Sequence, residues 1–253
     1  NACALALEAG ADLVLMKAEN NLVEETFNKI KEFVVSGRIS EQELNDKMYR
    51  ILSTKYEYGL FHESKNNGES PEEVAASREI IDLSKQIARR SVVIARDKAG
   101  LLPIACGGKT LIVEQKVKEY NGLRWHSGIL HEDCLKYDPT AAYLETDYTF
   151  DAADKASIEA RLDQYDTIVI TNYYLRGNLN NRDYIDELCK NHPEKKIIVI
   201  TNTPYEELSI PEHAKTVIVS FTCAPNNVEV VAGVLYGKMT AEGVWPVAKR
   251  LDV

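Results

Sequence analysis

Five short apolar runs constrain this chain more than any other feature: SVVIA at 91–95, TLIVE at 110–114, TIVIT at 167–171, KIIVIT at 196–201 and TVIVS at 216–220. Each is rich in β-branched residues and too short for a buried helix. Runs that are apolar at every position, rather than at alternate ones, belong to strands covered on both faces, which is the setting of a parallel sheet. A weaker candidate lies at 142–146. Helical patterns at 152–164, 182–190 and 228–236 fall between them, and a long helix is expected over 72–90. Strand and helix in alternation imply an α/β three-layer sandwich around a mainly parallel sheet.

The first 61 residues read differently. Ala4–Leu7 favour helix, Gly10 can supply a left-handed stop, and Leu13–Met16 form a short apolar run expected to be a strand. Lys17–Asn21 is a polar loop, followed by an amphipathic helix over 22–36 in which Leu22, Val23, Phe27, Ile30 and Val34 recur at helical spacing. Ser40 and Glu43 form a capping-box pattern that opens a second helix ending near Gly59. Strand, polar loop and helix make one βα unit. A lone parallel strand cannot satisfy its backbone, so the stretch reads as part of a larger unit; if that unit is a (β/α)8 barrel, its earlier units are expected before Asn1. In a barrel, the loop after a strand lies on the active-site face, which makes Lys17, Glu19 and Asn20 the candidate substrate contacts. The polar segment HESKNNGES at 62–70 reads as a linker. On that barrel reading the expected organisation is a barrel remnant at 1–61, a linker at 62–70 and an α/β sandwich at 71–253.

Composition excludes several functions. A net charge of −9 and a pI near 5.2 argue against nucleic acid and anionic membrane as partners. No apolar run approaches the length of roughly 20 residues that spans a bilayer. The five cysteines, Cys3, Cys106, Cys134, Cys189 and Cys223, form no CxxC pair and are expected to be small buried or half-buried residues. Such a scattered odd set leans toward a reducing compartment such as the cytoplasm. The five histidines show no metal-ligand spacing, so no metal and no cofactor are expected. Gly107-Gly108 is not a GxGxxG turn, and neither a GxxxxGK[ST] loop nor a GxSxG elbow occurs. Carboxylates are abundant, but spacing alone singles out no catalytic pair.

Read together, several stretches resemble glycoside hydrolase family 3. Ala9-Gly10-Ala11-Asp12 with the apolar residues after it is similar to the family's last barrel strand. Gly37–Glu41, Arg50-Ile51-Leu52, Lys55 and Tyr58–Phe61 resemble the close of its barrel domain. Ser91–Asp97 with Leu101–Ile104 is similar to the opening of its second domain, Asn202-Thr203-Pro204-Tyr205 to a turn after a strand, and Leu235–Lys238, Gly243 and Trp245-Pro246-Val247 to its closing segment. The pattern is nearer to β-N-acetylhexosaminidase-like members than to β-glucosidases, although Glu206 stands where the turn has Asp.

The resemblance implies a C-terminal portion of a retaining β-glycosidase, with a carbohydrate substrate in the full-length protein. Retention uses a carboxylate nucleophile, which the resemblance makes an Asp, and in the hexosaminidase-like branch it implies a His acid/base. Neither the nucleophile motif nor the KHFPGHG-like loop occurs in this sequence, and both are expected upstream of Asn1. The chain alone is then expected to be inactive, with no catalytic residue of its own. Its partners are expected to be the missing N-terminal barrel half or a second copy pairing through residues 1–61. The competing readings are a β-glucosidase-type member and a non-catalytic α/β module that binds a ligand or partner.

Overall fold

The computed structural model describes residues 1–16, 20–62, 68, 70–116, 127–174 and 181–246. They fall into two compact units, Asn1–Ser70 and Pro71–Val253. Among them no helix is long and apolar enough to cross a membrane.

The first unit holds three helices, α1 (Ala2–Glu8), α2 (Asn20–Val35) and α3 (Glu41–Glu57). Gly10 follows α1 with φ near +110° and turns the chain away. The capping box forms as expected: the Ser40 hydroxyl accepts from the Glu43 amide at 3.2 Å, and the Glu43 carboxylate accepts from the Ser40 amide at 2.8 Å. A small core of Ala4, Phe33 and Ile39 joins α1 to α2. Arg38 lies 3.8 Å from the centre of the Phe33 ring and donates two hydrogen bonds to Glu8, at 2.8 and 2.7 Å. Arg50 makes the same two-pronged contact with Asp12, and the Lys47 ammonium donates to the Ala11 carbonyl at 3.0 Å. These bonds fasten the chain after α1 to α3.

The strand expected at 12–16 does not form. Residues 13–16 are neither helix nor strand, and Leu13 and Leu15 are 71% and 105% exposed. A strand needs a ladder partner, and the described part of this unit has no other strand to provide one. The first 16 residues therefore show a helix followed by irregular chain rather than a barrel strand.

The second unit begins with α4 (Pro71–Ala75) and α5 (Arg78–Ser91), followed by β1 (Val93–Asp97), β2 (Thr110–Gln115), α6 (Ile129–Leu135), β3 (Ala142–Thr146), α7 (Ala152–Glu159), β4 (Thr167–Asn172), α8 (Arg182–Asn191), β5 (Lys196–Thr201), α9 (Glu206–Ser209), β6 (Thr216–Val219) and α10 (Pro225–Leu235). The single long helix expected over 72–90 is two helices. Ser77 caps the second of them, its hydroxyl accepting from the Ile80 amide at 3.4 Å, which breaks the run.

The strands lie in the order β1-β6-β5-β4-β2-β3. All neighbouring pairs are parallel except β1 with β6, so the antiparallel strand caps one edge and carries a bulge between Ile94 and Arg96. Every residue of β2, β4 and β6 is buried. Alternate side chains divide between two layers. Ile112, Val169, Ile198 and Ile218 pack with α5, α6 and α10, whereas Val113, Ile168, Val199 and Val217 pack with α7, α8 and Ile210. The unit is an α/β sandwich around a mostly parallel sheet, as the apolar runs require.

Gly243 ties the end of the described chain to this body. Its amide donates to the Val92 carbonyl at 2.9 Å. A Cβ added there would lie 2.5 Å from that same oxygen and 2.6 Å from the Ser91 carbonyl. Backbone on both sides leaves nothing to give way. Gly243→Ala is therefore expected to destabilise the chain by about 1–3 kcal/mol, the usual range for overpacking. Urea unfolding followed by far-UV circular dichroism checks this; an unchanged midpoint would show that the 241–246 segment is not held against the α5–β1 junction.

Candidate functional site

In a parallel α/β sheet the natural ligand crevice lies beyond the carboxyl ends of the strands, where successive connections leave in opposite directions. Here that point is between β2 and β4, because β2 connects to β3 on one side and β3 connects back to β4 on the other. The side chains at this point bond to one another. Gln115, fully buried at the end of β2, reaches across to β4: its amide nitrogen donates to the Tyr148 carbonyl at 2.6 Å, and its oxygen accepts from the Tyr173 amide at 2.5 Å. The Tyr148 hydroxyl donates to the Tyr173 carbonyl at 2.5 Å.

Asparagines continue the network along the same edge. Asn181 accepts from the Phe150 amide at 2.7 Å and donates to the Tyr148 carbonyl at 3.0 Å, while its own amide donates to Asn172 at 2.9 Å. Asn172 in turn donates to the Ser209 carbonyl at 2.7 Å. Asn202, in the turn that resembles the family's, extends the β4–β5 pairing by accepting from the Tyr174 amide at 2.8 Å. At the end of β6, Phe221 holds φ at +61°, an uncommon value for a bulky residue. The Ser220 hydroxyl spans this strained turn, donating to the Thr201 carbonyl at 3.1 Å and the Thr222 carbonyl at 2.8 Å. Such fully paired buried amides fix strand ends and loops; they are not free to bind a ligand.

The N-terminus of α6, where a nucleotide phosphate would sit in many α/β folds, is also occupied from within. Its cap residue is Gly128, which has no side chain to offer. Glu114 from β2 fills the role, accepting from the Leu130 and His131 amides at 3.1 and 3.2 Å. Burial pushes its carboxyl up to about 7, against the two amide bonds that favour the charged form, with Glu132 and Asp133 nearby adding to the rise. An internal carboxylate on these two amides agrees with the absence of a phosphate-binding glycine motif from the sequence.

Other chemistry-bearing groups have structural roles. Asp147, Asp151 and Asp154 converge, with one oxygen of each within 4.8 Å of the others. Asp151 caps α7 by accepting from the Asp154 amide at 2.8 Å, and Asp154 accepts from the Asp147 and Asp151 amides in return. Burial pushes the Cys189 thiol up to about 12 and the Cys134 thiol well up, the opposite of an activated nucleophile. The five cysteines are unpaired; Cys106 is exposed, contrary to expectation, and the others are buried or half-buried.

Of the three contacts proposed from sequence, Lys17 and Glu19 lie outside the described residues, and Asn20 is the first residue of α2. His126, Val247 and most of the 62–70 linker lie outside them as well. Sequence reasoning missed Glu114, Gln115 and Asn181 as the residues that organise the strand ends. The available signal was the pair Glu114-Gln115 directly after the apolar run TLIV.

Glu114 generates a pH prediction. Its folded value lies above the ordinary 4.5, so the folded chain holds the proton more tightly than the unfolded chain. This contribution is present below pH 4.5 and is lost as pH rises toward about 7. It is on the order of 3 kcal/mol. Glu114→Gln is expected to flatten the decline in unfolding free energy across that window. A wild-type slope retained in the variant would assign the titration to another group.

No family model matches the chain. Over 119 residues, 45% of this chain and 15% of the relative, it is 27% identical to the periplasmic beta-glucosidase of Salmonella typhimurium. A glycoside hydrolase family 3 beta-N-acetylglucosaminidase from Paenibacillus sp. superposes with a TM-score of 0.68 at 20% identity, covering 96% of this chain and 46% of that one. A beta-glucosidase from Listeria innocua gives 0.59 at 17% identity, covering 97% of this chain and 37% of that one. The chain thus spans less than half the length of the solved structures it resembles. At this identity the likeness is one of fold, and the fold is that of the C-terminal portion of glycoside hydrolase family 3 enzymes.

Proposed function

We propose that this chain is the C-terminal portion of a family 3 glycoside hydrolase, which in the complete protein performs retaining hydrolysis of β-linked N-acetylhexosaminides. The observation that carries the reading is the superposition across 96% of the chain on a family 3 beta-N-acetylglucosaminidase. The motif order from the AGAD segment to Trp245-Pro246 supports the same assignment. A β-glucosidase specificity is the second reading, favoured by the sequence match to a periplasmic beta-glucosidase.

On this reading the reacting carboxylate and the acid/base belong to a barrel domain ahead of Asn1. The second unit, whose polar strand ends are paired internally, supplies no reacting group and acts as a supporting domain. The first unit supports such an arrangement through what it leaves uncovered. Its core is small, and Phe27, Val35, Tyr49, Leu52 and Phe61 are exposed alongside Leu13 and Leu15. Apolar surface on that scale calls for further cover, and the completing barrel half is the proposed partner. Pairing of two copies through residues 1–61 is the alternative cover.

The test is hydrolysis of a chromogenic N-acetyl-β-glucosaminide, by this chain alone and after addition of the polypeptide preceding it in its gene. The expected result is no turnover by the chain alone and turnover by the mixture, with a chromogenic β-glucoside cleaved more slowly. Turnover by the isolated chain would place the catalytic groups within residues 1–253 and overturn the reading; a preference for the β-glucoside would select the second specificity.

A further inference from the structure

Beside the edge strand β1 lies a cavity of about 450 Å³, bounded by the 210–215 segment and the start of α8. Four cationic residues, Arg96, Lys98, Arg182 and Lys215, contribute to its wall, together with His213 and one carboxylate residue, Glu212. That concentration of positive charge stands out in a chain with net charge −9.

Arg96 is the informative residue. It is 9% exposed, yet it has no carboxylate partner among the described residues. Its Nη1 donates to three carbonyls, those of Pro211, Glu212 and Ala214, at 3.1, 3.0 and 2.7 Å. Its Nε is buried and unpartnered. Nη2 makes no hydrogen bond among the described residues and is not among the buried unpaired atoms, and Arg96 contributes to the cavity wall. Neutral carbonyls orient a guanidinium but do not cancel its charge, and a buried cation without a counter-ion is costly.

The lysines add a second strain of the same sign. The Lys98 amide donates to the Lys215 carbonyl at 2.9 Å, which continues the β1–β6 pairing one step past Asp97 and Thr216. Two like charges thus face each other across a strand pair, an unfavourable arrangement. The Lys215 ammonium donates only to the Pro193 carbonyl at 3.3 Å, and Lys98 forms no ion pair among the described residues. The nearby acids are engaged elsewhere or stand alone: Asp186 accepts from His213, Asp183 pairs with Arg182, and Glu212 makes no ion pair with the cavity cations.

We propose that this cavity binds the phosphate group of a small phosphorylated molecule. A phosphate dianion supplies two charges and several acceptor oxygens, enough to engage the Arg96 Nη2 edge and both ammonium groups together. The cavity volume lies in the usual range for small-molecule pockets and leaves room for an organic portion beyond the phosphate itself. The site consists of residues of the second unit and does not depend on the proposed glycosidase activity.

The experiment is calorimetric titration of the full chain at fixed ionic strength with inorganic phosphate, glucose 6-phosphate and glucose. Saturable binding of the ester, roughly tenfold tighter than inorganic phosphate, with none for glucose, is the expected result. The variant Lys98→Gln/Lys215→Gln replaces exposed side chains and is expected to fold, as circular dichroism would show, while weakening the ester about tenfold or more. Equal affinity for the two phosphates would overturn the assignment to an ester. Heats no different from a matched sodium chloride control, or unchanged affinity in the folded double variant, would overturn the site altogether.

Discussion

Burial of the sheet on both faces is the constraint from which the second unit follows. A strand such as TIVIT, with every residue buried, presents apolar side chains to two layers at once, so it requires helices above and below and strands on both edges. The parallel order β3-β2-β4-β5-β6 provides this for β2, β4, β5 and β6, and β1 closes the far edge by running antiparallel. Burial of this kind also forces the strand ends to resolve their own polar groups. The amides, hydroxyls and carboxylate at the carboxyl edge do so with one another, which gives this domain the character of a scaffold.

How far the fold was legible follows from which interactions are local. The β-branched runs revealed β2, β4, β5 and β6 because packing on both faces leaves a mark on every residue. The apolar run sets β1 two residues early, since Arg96 and Asp97 look unlike strand residues until the three carbonyls around the Arg96 guanidinium are seen. Nothing local in the sequence marks α6. Its sequence ILHEDCL is short and weakly patterned, and its cap arrives from Glu114, a residue on another element. Sequence shows a Ser or Asp cap three residues away; it does not show one supplied across the fold.

The opposite error occurred at Leu13–Met16. The run has a strand's composition, but a strand is a relation between segments, and the described residues of the first unit provide no partner. By contrast the Ser40–Glu43 capping box was legible because both halves lie within four residues. The candidate site divided along the same line. Lys17, Glu19 and Asn20 stand out only by their place after an expected strand, whereas the residues that organise the sheet edge, Gln115, Asn172 and Asn181, work through contacts 9 to 58 positions apart in sequence.

The proposed function requires that the second unit stand as a scaffold by itself and that the first gain cover from further protein. Native-state hydrogen exchange tests this directly. The account predicts that amides of β4 and β5 exchange only through global unfolding, while those of α2 and α3 exchange through openings of much lower free energy. Protection of α2 and α3 equal to that of the central strands would contradict it, because the first unit would then be complete without a partner.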